Sequence, residues 1–138
     1  MSEPSLAIQA AIVAALKNAA AVTAIADERV YDKVPAGAQF PYVHYGEDQV
    51  QADDYDSDDC LSKGFEVFVT LHVWSRANGK VECKRLGAAV HQAIDNADLT
   101  VNGFTVFAFE HQSTNYLTDP DGLTTHGVCQ FRVLLDPA

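Results

Sequence analysis

The sequence predicts an α+β domain: a mainly antiparallel sheet of about four strands, with two helices packed on one face. Three observations predict it. The first is strict alternation of apolar residues in GFEVFVTLHVWSR, where Phe65, Val67, Val69, Leu71 and Val73 share one pleated face. The second is a pair of apolar-periodic segments, near the N-terminus and after Gly79, at helical spacing. The third is the order helix, strand, strand, helix, strand, strand, with the last two strands separated by the tight turn DPDG. At 138 residues and 48% apolar composition, one domain spanning 1–138 is the economical reading.

Taken in order, Ser5 is placed to cap a helix that follows Pro4 and runs to about Ala20, with Leu6, Ala10, Val13 and Leu16 as its face. VTAIADE reads as a turn, and RVYDKV and the Pro- and Gly-containing VPAGAQFP lead to a strand at YVHYGEDQV. The alternating strand over 64–76 ends at Ala77-Asn78-Gly79. A helix from about Lys80 to Asn96 follows, with Val81, Leu86, Val90, Ala93 and Ile94 on one side. Asn102-Gly103 marks a tight turn between two short extended pieces. FTVFAFEHQSTNY and THGVCQFRVLL are the last strands. Two helices cover one side of a sheet. Aromatic residues assigned to the other side, among Phe68, Trp74, Phe107 and Phe109, therefore need cover from elsewhere.

The formal charge is −10, from 19 acids and 9 bases. Seven of the acids fall within residues 47–59, with no base among them: Glu47, Asp48, Asp53, Asp54, Asp56, Asp58 and Asp59. Without them 12 acids face 9 bases, so the acidity belongs to one segment. This balance argues against gripping nucleic acid through its phosphates. The five aspartates can be laid on a calcium-loop template starting at Asp54. Its sixth place, which needs glycine, is then Asp59, and its twelfth, which needs glutamate, is Phe65. A calcium-dependent binding module is therefore the weaker alternative. Four of the bases, Arg76, Lys80, Lys84 and Arg85, gather around the start of the second helix. They form either a solvated face or a docking patch for acidic groups on another subunit.

Cys60, Cys83 and Cys129 are too far apart for a zinc site and read as free thiols in a reducing compartment. The N-terminal apolar stretch lacks a basic leader and is too short to span a bilayer before Lys17, so synthesis in the cytoplasm is expected. His44, His72, His91, His111 and His126 show no i, i+4 pair and no HExxH. Ser62, Ser75 and Ser113 lack a nucleophile elbow, and no GxGxxG or phosphate loop occurs. No catalytic residue, cofactor or metal ligand is assigned.

Three blocks, RVYDKVPAGAQFPYVHYGE (29–47), TLHVWSRANGKVE (70–82) and DPDGLTTHGVCQFRV (119–133), resemble together and in order the tail-completion, or tail-terminator, family of siphophages and gene transfer agents. The resemblance spans nearly the whole chain and includes the N-terminal helix and the Leu99–Phe104 region. It implies a small α+β fold like that of the lambda tail terminator and no enzymatic activity. It also implies a place in the neck of a virion or particle. There the protein would form a hexameric ring at the head-proximal end of the tail tube, ending tube polymerisation. Its implied partners are further copies of itself, the major tail tube protein and the head–tail connector or stopper, with DNA passing through unbound. A head-completion or stopper protein of the same neck is the alternative.

Overall fold

A computed structural model describes residues 3–53 and 64–138. The elements are α1 (Ser5–Asn18), α2 (Ala20–Ala26), β1 (Val30–Tyr31), β2 (Tyr42–Asp53), β3 (Gly64–Ser75), α3 (Val81–Ile94), β4 (Phe104–Thr118) and β5 (Thr125–Pro137). They form a five-stranded sheet in the order β1-β2-β3-β5-β4. The α+β class is as expected, and the expectation of a mainly antiparallel sheet of about four strands with two helices is corrected in detail, to five strands and three helices. β1 adds a fifth strand, and because it runs parallel to β2 the sheet is mixed. The remaining neighbours are antiparallel.

The third helix is α2, in the segment read as a turn. Val22, Thr23 and Ile25 are β-branched and weak helix formers. Burial of Val22 and Ala26 in the core overrides that preference. The break from α1 is at Ala19, which is extended, and the two axes differ by 76°. No single helix among the described residues is long and apolar enough to cross a membrane.

The predicted face of β3 is the centre of the core. Val67, Val69, Leu71 and Val73 are fully buried, and Phe65 packs at the margin. They pair with Leu135, Val133, Phe131 and Cys129 on β5 and belong to one core with residues of all three helices. The first helix turns a different side inward than expected. Ile8, Ile12 and Leu16 are buried, whereas Leu6 and Ala10 are exposed. Pro4 rather than Ser5 is its N-cap. On α3 the buried side runs Cys83, Leu86, Gly87, Ala89, Val90 and Ile94, and Val81 stays in solvent.

The turns behave as their sequences predict. Gly79, Gly103 and Gly122 each have positive φ, the region glycine tolerates without strain. In the β4–β5 hairpin Gly122 N–H donates to Asp119 O at 2.9 Å, and Asp119 N–H to Thr124 O at 2.9 Å.

Side chains of the neighbouring strands β3 and β4 close over β5 where it carries Gly127. A Cβ there would stand 2.5 Å from Val73 Cγ2 and 3.0 Å from the Tyr116 ring. Gly127→Ala is therefore expected to cost about 1–3 kcal/mol, as overpacking of a filled core does. Leu71→Ala, which empties the same layer, is expected to cost about 2–5 kcal/mol. Urea unfolding measures both. A Gly127→Ala midpoint equal to the parent's would show that the layer is not closely packed.

Candidate interaction surfaces

All three helices lie on one face, so alternation along β3 leaves Glu66, Phe68, Thr70, His72 and Trp74 on the other. Cross-strand neighbours on this open face are His44, Gln49 and Gln51 of β2 and His126, Val128, Gln130 and Arg132 of β5. Its charges are largely paired within the face. Arg132 Nε donates to Glu66 Oε2 at 2.5 Å and its Nη1 lies 3.6 Å from Glu110 Oε2. Beside them Phe68 and Thr70 sit among the amides of Gln49, Gln112 and Gln130 around a shallow cavity of about 330 Å³.

Near the end of β3 the face carries an aromatic cluster. Trp74 lies flat on His126, with ring centroids 3.7 Å apart and planes 9° from parallel. His126 Nε2 is 2.7 Å from His72 Nδ1, and His72 Nε2 is 2.9 Å from Glu47 Oε1. His44 stands 5.9 Å from His72, with its own Nε2 3.1 Å from Asp32 O. A register shift between Tyr45 and Asp48 brings Glu47 into reach. Gly46 makes the approach possible, since a Cβ there would stand 2.5 Å from His72 Cδ2.

This geometry holds one shared proton. With His72 Nε2–H donating to Glu47, a neutral His72 accepts from His126 Nε2–H; if His72 gains a proton, it donates to His126 instead. Protonating both rings would set two N–H groups against each other. Burial, and then the charge of His72, push His126 below the ordinary histidine range. The hydrogen bond from His72 leads the causes that hold Glu47 below the usual carboxylate range. The hydrogen bonds and stacking of the cluster fix Trp74 in place.

A second stack, His91 on His111 with centroids 3.9 Å apart, ties α3 to β4. Asp95 at the C-cap of α3 accepts from His111 N–H at 2.8 Å, and Asn96 N–H donates to Phe109 O at 2.7 Å. These histidine pairs were not legible in the sequence, because their members lie 20 and 54 residues apart on different elements. The expectation for the aromatics holds in part. Phe68 and Trp74 are half-buried on the open face and Phe107 is 59% exposed, but Phe109 belongs to the core. A register shift between Val106 and Ala108 separates the two phenylalanines.

The predicted basic residues are all exposed. Arg76 lies over Phe40, 4.3 Å from the ring centroid, and its Nε donates to Thr124 Oγ1 at 3.1 Å. Lys80 lines the same shallow cavity as Arg76 and Leu123. Lys84 reaches toward β4, its Nζ 5.8 Å from the Tyr116 ring, and Arg85 follows it on α3. None of the four has an ion-pair partner among the described residues. Of the acidic segment, Asp53 ends β2 opposite Gly64. Asp54, Asp56, Asp58 and Asp59 lie outside the described residues, and with them the calcium-loop template. Asp53 and Arg76 are therefore at opposite ends of β3, about 36 Å apart at the rise of a strand. Cys83 and Cys129 are free and buried, and Cys60 lies outside the described residues. Burial pushes the Cys83 thiol up to about 11. Among the described residues no three His, Cys, Asp or Glu side chains are arranged to hold a metal.

Residues 10–136 match the family described as Tail completion protein gp17. The chain belongs to this family. A chain of the virion of a native gene transfer agent particle has the same fold, with a TM-score of 0.87, 23% identity and 99% of each chain covered. No curated protein sequence matches. As a tail completion protein the chain is a structural, non-enzymatic component of a virion or particle tail.

The histidine cluster sets a pH dependence for this tail completion protein. The folded-state pKa values of His126 and His111 lie below the ordinary 6.5, so the unfolded chain binds more protons near that pH. Stability is therefore complete above about pH 6.5 and is lost as pH falls through the histidine range. The urea midpoint is expected to fall between pH 7 and pH 5.5, and His126→Gln to flatten that fall. Trp74, the single tryptophan, reports the stacked ring by fluorescence. Equal pH slopes in parent and variant would remove His126 from this role.

Proposed function

We propose that the chain closes as a ring of six copies over the head-proximal end of a tail tube. The ring stops tube polymerisation and presents a surface to the head connector. One observation carries the reading beyond family membership: the acidic segment's anchors and Arg76 with Lys80 occupy opposite ends of one strand. Groups about 36 Å apart cannot neutralise each other within a chain. Between copies they can, through head-to-tail contacts in which one surface meets a different one, the kind that closes rings.

Six copies carry six times the −10 of one chain. Duplex DNA presents about one negative charge per 1.7 Å of axis, so an acidic lumen lets it slide where a basic one would hold it. Screening limits that effect to acids within about 8–10 Å of the DNA. Asp53, Asp54, Asp56, Asp58 and Asp59 therefore act either at the lumen or on the neighbour's Arg76, Lys80, Lys84 and Arg85.

Purified protein added to growing tail tubes is expected to stop elongation and to appear by electron microscopy as a cap at one end. Binding to tailless heads instead of tubes would assign it to the head side as a stopper. Changing all five aspartates to asparagine is expected to lower infectivity or gene transfer at least tenfold. Unchanged ring formation together with unchanged titre would remove both roles of the segment.

A further inference from the structure

The helix α1, SLAIQAAIVAALKN, is apolar nearly all round, yet the fold fully buries only Ile8, Ile12 and Leu16 and leaves Ala7 and Ala11 partly exposed and Leu6, Ala10 and Ala14 exposed. A helix of that composition is ordinarily enclosed. A second side, Ala7, Ala10, Ala11 and Ala14, forms one wall of a groove of about 760 Å³ whose other wall includes Phe104 and Pro137. Leu6 stands at its mouth, 77% exposed. The groove opens at the end of the sheet where β4 begins and β5 finishes, with Glu3 on its rim and Asp98 and Asp136 close by in the chain.

The opposite end of the sheet carries an apolar projection. Leu123 is 70% exposed on the β4–β5 turn. It is held there by Asp121, whose Oδ1 accepts from Leu123 N–H at 2.8 Å and Thr124 N–H at 2.9 Å, while Oδ2 accepts from Thr124 Oγ1–H at 2.8 Å. A projection fixed in this way loses little freedom on docking. Arg76 and Lys80 flank it, and Asp121 is turned onto its own loop. Projection and groove are both apolar and too far apart to meet within one chain; Glu3, Asp98 and Asp136 give the groove's end acid only, whereas the projection carries the bases Arg76 and Lys80 beside its own Asp119 and Asp121.

We propose that the Leu123 hairpin of one copy seats in the α1 groove of the next, with Arg76 and Lys80 facing the neighbour's Glu3. The inference rests on the ring reading and names its contact. Because the two surfaces differ, the contact is heterologous and repeats from copy to copy until it closes.

Cysteine cross-linking tests it in a Cys60→Ser background, where the remaining Cys83 and Cys129 are buried. Ala10→Cys and Leu123→Cys proteins, both changed at exposed positions, are oxidised separately, mixed, and as a double variant, in solution and in assembled particles. The mixture is expected to give disulfide-linked dimers and the double variant a ladder ending at the ring's copy number, while each single variant stays monomeric on the gel. Dimers of Ala10→Cys alone or of Leu123→Cys alone would mean a two-fold contact and overturn the proposal. So would the absence of cross-links from both mixture and particles. Native mass spectrometry of the parent protein keeps the two readings apart: a six-copy ring without the cross-link leaves the ring and removes this contact. Leu123→Asp is expected to lower the ring population at least tenfold and Leu123→Met to preserve it. Equal ring populations in all three proteins would also overturn the contact.

Discussion

The structure depends on β3 being apolar on one face only. Val67, Val69, Leu71 and Val73 lie between β2 and β5 at the centre of the sheet; α3 packs over them, and α1 and α2 complete the same core. Because the side-chain period of a strand is two, a slip of one residue would expose that whole set. Gly127 and Gly46 secure the arrangement by letting Val73 and His72 come closer than a Cβ would allow. The same periodicity that builds the core sends Phe68, Thr70, His72 and Trp74 to the face opposite the helices, which no described helix covers. A small domain with helices on one side of its sheet thus retains a large surface for other molecules, and an assembly protein uses such surface.

The direction of β3 organises that surface lengthwise. Asp53 and Gly64 mark one end of the strand and Arg76 the other, so the chain is polar along the sheet. Apolar features follow the same axis, a groove beside α1 at one end and Leu123 on a rigid hairpin at the other. Self-complementary ends on one chain favour contacts between copies over contacts within it. Among the described residues the buried thiols are held protonated, and the histidine pairs spend their hydrogen bonds on each other and on nearby carboxylates and hydroxyls.

Two irregularities give the surface its detail. The shift at Gly46–Glu47 delivers a carboxylate to His72, and the shift at Phe107 turns that ring outward while Phe109 enters the core. Each places a side chain where regular alternation would not. Trp74 owes its orientation to the first of these, through His72 and His126.

By itself the sequence determined the core strand, the α3 helix, the glycine turns, the concentration of acid in one segment and the family, because each depends on residues near one another in the chain. Periodicity, turn chemistry and motif order are local properties, and they survive without a fold to read them in. Only the tertiary structure decided the rest. α2 is helical because Val22 and Ala26 find a core, and β1 is a strand because β2 lies beside it. The inward side of α1 is Ile8–Ile12–Leu16 because its nearly uniform apolar composition left the choice to packing. The stacks of Trp74, His72 and His126, and the separation of Asp53 from Arg76, arise from register between strands distant in sequence. Strand pairing is set by the energy of the whole buried layer, and no local pattern encodes it.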